Sequence, residues 1–240
     1  MKSSALLKLY LAVVFSFIFF QATAALSQQT ESYTGLAKNK KGELQYSEHH
    51  VVKFDENGRA TTAETEYKSP DGKVIGKMQS DFTSSLTAPN YNFIDLRTED
   101  IHGIRRADNN IILFRQSKGK KEETKAIKPN YPADTLVIGC QGLHYYLREN
   151  FQAVIERKNI PIKFLIPGDL DYYNFSMKVQ KQTDVKVSWI ITISNLFLKL
   201  FAPTLTIEYD KVSKKLLSYV GLSNLKNDKG ELQIVEITYN

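Results

Sequence analysis

Hydrophobic and polar residues alternate with a period of two along most of the chain, in runs of about 8–12 residues. In one such run, Tyr46, Glu48 and His50 share a face with Val52 and Phe54. This alternation predicts β-strands whose two faces meet different surroundings. Short turn-forming sequences rich in Gly, Asn and Asp separate the runs, at residues 55–58, 69–72, 107–110, 117–120 and 227–230. Because short turns join neighbouring strands, we expect the strands to pair antiparallel.

One region departs from the two-residue period. Between residues 141 and 158 the apolar residues recur at steps of three and four, which is the spacing of one face of a helix. They are Leu143, Tyr146, Leu147, Phe151, Val154 and Ile155. Gly139 precedes the segment and Pro161 follows it, as is typical of helix ends. The pattern predicts one helix over residues 141–158.

Together these elements predict a mainly β (α+β) fold in a single domain over residues 25–240. A long antiparallel meander has to protect its edge strands and bury its apolar face. Curling as a half-barrel around one central helix satisfies both requirements, and we expect this arrangement. No Pro-rich or Ser-rich linker divides the chain.

The first 24 residues have the pattern of a secretory signal peptide. Lys2 and Lys8 come before a charge-free apolar run at residues 9–20, and Ala22 and Ala24 supply the small residues of a cleavage site. The run is shorter than the roughly 20 residues with which a helix spans a bilayer. We therefore predict cleavage after Ala24 and a periplasmic or secreted location, with a retained N-terminal anchor as the alternative.

Composition excludes several classes of protein. Hydrophobic residues make up 42% of the chain and charged residues 24%, which excludes wholesale disorder. The single Cys excludes a disulfide scaffold and a Cys-based zinc site. Taking the two Lys of the signal peptide from a net charge of +6 leaves +4, and the other Lys are mostly scattered among acidic residues, so no nucleic-acid partner is predicted. No metal-ligand spacing and no nucleotide-binding motif occurs, so we predict no metal site and no cofactor.

Cys140 and His144 are candidate catalytic residues because they are four positions apart at the start of the predicted helix. That spacing places them one turn apart on the same face. A helix N-terminus and a neighbouring imidazole both lower the pKa of a thiol, which favours a nucleophilic thiolate. The alternative is a small buried Cys beneath the helix with His144 at its rim.

Glu48 and His50 form a second candidate pair on one strand face. If that face is concave, the carboxylate and imidazole lie inside an apolar bowl, where they act as acid and base or hold a polar head group. If the face is exposed to solvent, the two residues form a weak surface pair.

Aromatic residues provide candidates for an apolar ligand site. With Glu48 and His50, the predicted ligand-binding residues are Tyr46, Phe54, Tyr146 and Trp189. Trp189 begins a strongly apolar stretch over residues 189–201. The stretch is interpreted as core, and the alternative is an exposed patch that contacts a membrane surface or an envelope protein.

Several stretches resemble a group of uncharacterised secreted bacterial β-rich proteins. The matching stretches are residues 46–50, 67–73, 200–203, 207–210 and 217–224. That group has no activity that can be transferred to this chain. More broadly, an exported chain with strands around a helix is similar to the periplasmic lipoprotein-carrier fold (LolA/LolB-like), whose members hold acyl chains in an apolar half-barrel. This similarity implies an architecture and no particular functional residue.

These observations lead to three hypotheses about function. The first is an exported protein that binds a lipid, an acyl chain or another hydrophobic small molecule in a concave sheet. The second is a structural or assembly protein of the cell envelope. The third is a hydrolase- or transferase-like enzyme that uses Cys140 with His144 or Glu48 with His50. The sequence does not identify the ligand, the oligomeric state or the concave face.

Overall fold

The computed structural model describes residues 29–107, 110–128, 132, 134–195 and 204–240. The predicted signal peptide and most of the apolar stretch after residue 195 lie outside the described residues. The described strands all belong to one 15-stranded sheet. The prediction of a mainly β fold is therefore confirmed.

The strands fall into two consecutive series along the chain. The first series is β1 (Thr30–Lys38), β2 (Leu44–Phe54), β3 (Ala60–Lys68), β4 (Val74–Asp81), β5 (Asn90–Asp95), β6 (Asp100–Ala107), β7 (Asn110–Gln116) and β8 (Glu123–Ile127). The second is β9 (Leu136–Gly139), β10 (Ile160–Ile166), β11 (Asp171–Gln182), β12 (Lys186–Ile193), β13 (Leu205–Asp210), β14 (Leu216–Leu222) and β15 (Ile234–Tyr239). Each series is a meander, and the two join where β1 pairs antiparallel with β15. The pairs are antiparallel except β9 with β10, which are parallel.

Side-chain hydrogen bonds fix the tight turns that set the strand register. In the β2–β3 turn, Asp55 Oδ1 accepts hydrogen bonds from the backbone N–H groups of Asn57 (2.9 Å) and Arg59 (2.8 Å). Gly58 adopts a φ of +74°, a conformation that favours glycine. The turns that begin at Asn39 and Asn227 use the same pattern, in which the Asn side chain binds the backbone N–H two and four residues later. The Asx turns predicted from Asn, Asp and Gly therefore set the register locally.

The predicted single helix over residues 141–158 is wrong in its details. The structure contains two short helices, α1 (Gly142–Glu149) and α2 (Phe151–Ile155), with Asn150 between them. Asn150 has φ −107° and ψ 23°, and both its backbone N–H and its side-chain amide donate to Tyr146 O at 3.0 Å. Asn side chains compete with helical hydrogen bonding in this way, which explains the break. The helices form the crossover that the parallel β9–β10 pair requires.

The helices pack against inward side chains from both halves of the sheet. Gln141, just before α1, bonds to Thr65 of β3 and Ser80 of β4. On the other side, the rings of Phe151 in α2 and Trp189 in β12 meet edge to face, 5.6 Å apart. The helical segment therefore connects strands that are far apart in the sheet.

The two ends of the sheet also approach each other. Arg115 of β7 donates a hydrogen bond to the carbonyl oxygen of Gly168 (2.9 Å), in a 3₁₀ turn (Pro167–Asp169) between β10 and β11. Lys125 of β8 forms an ion pair with Asp171 of β11 at 3.1 Å. No strand pairing joins β8 to β9 in the described part of the chain. The sheet is therefore curled but open.

Inward side chains form three buried clusters. The first lies mainly on β2–β7, with Tyr46 and Tyr67 among its members. The second combines the helices with β9–β13, including Trp189. The third includes Val52 and Ala63, at the far ends of β2 and β3. The inward positions of β2 and β3 between the first and third clusters are polar, and they form the candidate site described below.

Gly142 allows close packing at the start of α1. A Cβ atom at this position would lie 1.9 Å from the carbonyl oxygen of Thr87. We expect Gly142→Ala to lower the free energy of unfolding by about 2 kcal/mol, because overpacking outweighs the better helix propensity of Ala. Urea denaturation measures this change. Gly168→Ala is the control, because an added Cβ there would have no neighbour within 4 Å; equal effects of the two substitutions would contradict the prediction.

Candidate functional site

A buried hydrogen bond between Glu48 and His50 lies at the centre of the candidate site. His50 Nε2 is 3.1 Å from Glu48 Oε2, and each side chain is 6% exposed. Tyr239 Oη donates a second hydrogen bond to the same carboxylate oxygen at 3.0 Å. The face of β2 that carries these residues therefore points to the interior.

The hydrogen bonds continue from His50 to the residue before α1. The Thr65 hydroxyl lies 2.9 Å from His50 Nδ1, and Gln141 Nε2 donates to Thr65 Oγ1 at 3.0 Å. Ser80 Oγ donates to Gln141 Oε1 at 3.1 Å. If His50 carries its proton on Nε2, each bond in this chain has one donor and one acceptor. We call these six side chains the interior polar chain: Ser80, Gln141, Thr65, His50, Glu48 and Tyr239.

Strand register explains how these residues meet. Thr65 of β3 is the direct cross-strand partner of His50. Gly35 of β1 is the cross-strand partner of both Glu48 and Tyr239. A Cβ at Gly35 would lie 2.6 Å from the Tyr239 ring, so the absence of a side chain lets Tyr239 reach across β1 to Glu48.

Aromatic rings surround the pair and limit its contact with water. The Tyr33 ring stacks on His50 with ring centroids 4.4 Å apart. Burial, and secondarily the Glu48 carboxylate, raises the pKa of Tyr239 well above its ordinary value. Glu48, His50 and Thr65 are bonded to one another or to neighbouring side chains, and the Thr65–Gln141 bond ties Gln141 to the sheet.

The surroundings of Cys140 favour the second of the two alternatives, a buried Cys that is not activated. Cys140 precedes α1 with a φ of 43°, and its thiol lies 3.1 Å from the sulfur of Met78. Burial raises its pKa from 9.0 to about 12, whereas a nucleophilic thiolate requires a lowered pKa. His144 Nδ1 instead bonds the Tyr209 hydroxyl at 2.8 Å, and burial lowers the His144 pKa to about 3.

The other predicted ligand residues lie in three different places. Tyr46 is buried in the first cluster, and its hydroxyl bonds to Ser223 at 2.8 Å. Trp189 is fully buried in the second cluster, where Tyr146 is partly buried. Phe54 belongs to the third cluster, at the far end of β2. The structure therefore does not bring the predicted ligand residues together in one cavity.

A hollow of about 340 Å³ lies next to Phe54 at this end of the sheet, and we call it the end hollow. Its lining includes Phe54, Ala60, Leu86, Tyr145, Arg148 and Lys214. The Tyr145 ring packs on Phe82 with centroids 4.6 Å apart. The Arg148 guanidinium lies 5.4 Å from the centre of the Phe54 ring and forms a 3.0 Å ion pair with Glu31.

The charges of the end hollow differ in how they are paired. Arg148 is bound to Glu31, and Glu149, which also lines the hollow, is bound to Arg59 at 3.0 Å. Lys214, in the β13–β14 turn, forms no ion pair within the described residues. The hollow therefore combines a few apolar side chains with a mainly polar lining, which includes one unpaired cation and one cation paired with Glu31.

No group of three His, Cys, Asp or Glu side chains among the described residues is placed to hold a metal ion. None of the helices in that part of the chain has the length and apolar character needed to cross a bilayer.

Comparisons with known proteins assign no family to the chain. No family model matches it, and no curated protein matches it. Among solved structures, it is similar to a beta-barrel-like protein of a domain of unknown function, DUF1849, from Brucella abortus. The two are 8% identical, the alignment covers 89% of this chain and 97% of that chain, and the TM-score is 0.38. No residue role is transferred from this comparison.

Sequence reasoning missed several residues of the site. Thr65 could have been predicted, because a hairpin turn at residues 55–58 pairs His50 with the residue that lies about as far after the turn as His50 lies before it. Tyr239, Gln141 and Tyr145 could not be predicted, since they lie far away in the sequence, on a distant strand and in or next to the helical segment. The need for glycine at position 35 can be recognised only once β1 is known to lie between β2 and β15.

The Glu48–His50 pair predicts an unusual result for a double substitution. His50→Leu removes one partner of a buried carboxylate, which we expect to cost about 3 kcal/mol of unfolding free energy. Glu48→Leu combined with His50→Leu removes the charge as well, so the double variant should be more stable than His50→Leu alone. Urea denaturation of wild type, both single variants and the double variant tests this. Additive losses would contradict the role of the pair.

The raised pKa of Cys140 predicts slow alkylation. At pH 8 we expect iodoacetamide to react about a thousandfold more slowly with the folded protein than with the protein in urea, because very little thiolate forms in the folded state. The chain has one Cys, so total thiol loss reports this residue alone. A folded-state rate within about tenfold of the unfolded rate would contradict the environment described here.

Proposed function

We propose that the chain is an exported binding protein for an anionic amphipathic molecule of the acyl-chain class, which it holds in the end hollow. The observation that carries this proposal is the combination, in one hollow, of the apolar side chains of Phe54 and Leu86 with the cations Arg148 and Lys214. A small number of polar groups around an apolar wall is typical of ligand sites. Export enters the proposal from the signal-peptide pattern of residues 1–24.

The apolar side chains suit the end of a hydrocarbon tail. Phe54, Leu86 and Tyr145 contribute ring and aliphatic atoms to the lining. The hollow therefore accommodates the end of a chain, while the interior between the helices and the sheet is occupied by protein side chains.

The cations suit the head group. Lys214 has no acidic partner in the described residues, and Arg148 can exchange Glu31 for a ligand carboxylate or phosphate. Such an exchange would leave the Arg148 charge paired. The proposal differs from the sequence-based expectation in its location, because the end hollow lies beside Phe54 rather than around Glu48 and His50.

The two alternative functions have less support. The raised pKa of Cys140 and the bonded state of Glu48 and His50 oppose the enzyme hypothesis. For the assembly hypothesis, Trp189, Ile191 and Ile193 are buried in β12, and residues 196–203 lie outside the described residues.

Binding of a fluorescent fatty acid tests the proposal. We expect dansyl-undecanoic acid to bind the purified chain, and Lys214→Glu to weaken binding at least about fivefold, which corresponds to about 1 kcal/mol. Lys215→Glu makes the same change of charge in the same turn at a residue that does not line the hollow, and it should change the affinity less than twofold.

Two outcomes would overturn this assignment. The first is a wild-type chain that takes up no fatty acid and carries no lipid detectable by mass spectrometry when purified from its native source. The second is an equal effect of Lys214→Glu and Lys215→Glu, because a general electrostatic attraction would then explain the binding without the end hollow.

A further inference from the structure

Two neighbouring turns at one end of the sheet present apolar side chains to solvent. Among the described residues, the most exposed large hydrophobic side chains are Val212 (84% exposed), Leu232 (68%) and Val185 (57%). Val185 lies in the turn between β11 and β12, and Val212 lies in the turn between β13 and β14. We call residues 181–186 and 210–215 together the paired tips. Leu232 lies between β14 and β15, at the opposite end of the sheet.

Strand register and hydrogen bonds hold the paired tips side by side. Lys186 at the start of β12 is the cross-strand partner of Asp210 at the end of β13. The backbone N–H of Lys211 donates to the carbonyl oxygen of Val185 at 2.8 Å, and its ammonium group donates to the carbonyl oxygen of Thr183 at 2.9 Å. The two turns therefore form one surface of fixed shape.

The fold does not require valine in either turn. Asp210 Oδ1 accepts hydrogen bonds from the backbone N–H groups of Val212 (3.1 Å) and Ser213 (2.7 Å). In the other turn, the Thr183 hydroxyl accepts a hydrogen bond from the backbone N–H of Lys186 at 3.0 Å. The side chains that close both turns are therefore the Asp and Thr that commonly do so. A polar residue in place of either valine would keep these bonds, so the exposed apolar groups indicate a role outside the fold.

Lysine residues accompany the two valines. The paired tips contain five Lys and two Asp. Lys186 is bound to Glu208 at 2.9 Å. Lys181, Lys214 and Lys215 are exposed and form no ion pair within the described part of the chain. The paired tips therefore combine protruding apolar groups with cations that are available to a partner.

We propose that the paired tips dock the protein on a lipid bilayer whose surface carries anionic phospholipids. Such a surface attracts Lys ammonium groups, and its apolar boundary accepts small hydrophobic side chains. A protein partner is a poorer match, because two separate valines offer far less surface than the roughly 1,000 Å² that a specific protein interface buries. A second copy of this chain would bring the same lysines face to face, and like charges repel each other.

Docking in this orientation would place the end hollow next to the lipid headgroups. Ser213 and Lys214 belong both to the paired tips and to the lining of the hollow. Asp55 and Glu56 lie in the β2–β3 turn, whose Asn57 also lines the hollow, so we expect contact with an anionic surface on the β11–β14 side. The inference does not rest on the function proposed above, because neither valine of the paired tips lines the hollow.

Sedimentation with lipid vesicles tests this proposal. The experiment uses the predicted mature chain, residues 25–240, because the apolar run at residues 9–20 would bind vesicles by itself. We expect this chain to bind mixed vesicles, made of equal parts phosphatidylglycerol and phosphatidylcholine, at least about tenfold more tightly than vesicles of phosphatidylcholine alone. Added salt should weaken binding to the mixed vesicles, because it screens the attraction of the lysines to the surface.

A matched pair of substitutions locates the contact on the molecule. Val212→Asp should weaken binding to the mixed vesicles at least about fivefold, because it removes an inserting side chain and adds a negative charge. Leu232→Asp makes the same chemical change at an exposed apolar residue at the opposite end of the sheet, and it should change the affinity less than about twofold. Thermal unfolding of both variants shows that they are folded.

Tryptophan fluorescence reports insertion directly. Trp189 is the only Trp in the sequence and is fully buried, so a change on adding vesicles reports a Trp introduced at the surface. We expect the emission of the Val212→Trp variant to shift to shorter wavelength with mixed vesicles. The emission of the Leu232→Trp variant should stay unchanged.

Three results would overturn the proposal. They are the absence of binding to mixed vesicles, equal effects of Val212→Asp and Leu232→Asp, and an emission shift in the Leu232→Trp variant that matches or exceeds that in the Val212→Trp variant. Fatty-acid uptake by the end hollow is measured without vesicles and with different variants, so either proposal can fail while the other stands.

Discussion

The interior polar chain holds the helical segment against the inner face of the sheet. It begins at Ser80, passes through Gln141 and ends at the Glu48 carboxylate and Tyr239. A buried polar group that loses its partner costs about 1–3 kcal/mol, so each member holds the next in place. Because Gln141 immediately precedes α1, the chain fixes where the helical segment starts. That position in turn brings Tyr145 and Arg148 to the end hollow.

The two faces of the sheet have different roles as a result. The inner face is filled by the three clusters and the helices, which contact β3, β4, β12 and β13. The outer face is polar along much of β2–β7. The end hollow therefore lies at the boundary of a filled core.

The fold could be predicted from the sequence where local physics decides it. Turn chemistry and two-residue alternation predicted β2 and the turn that follows it, and the inward position of Glu48 and His50 followed from one of the two alternatives for that face. The four-residue strand β9 was missed, because a period of two cannot be recognised over so short a segment. The helix break was missed because the apolar steps of three and four continue through Asn150, whose side-chain competition leaves no trace in the hydrophobic pattern. The end hollow could not be predicted, since it depends on which strands become neighbours and on the register between them.

The pairing of β1 with β15 has a consequence for how the molecule is assembled. These strands come first and last in the order of the chain, yet they lie side by side in the middle of the sheet. Contacts between such distant segments carry a large loop-closure cost and slow the folding of β proteins. Each meander can form by itself from local hairpins, but the seam between them closes only after the strand β15 has been synthesised. Until then two long strand edges remain open to pairing with other chains, so this seam is where misassembly and aggregation would begin.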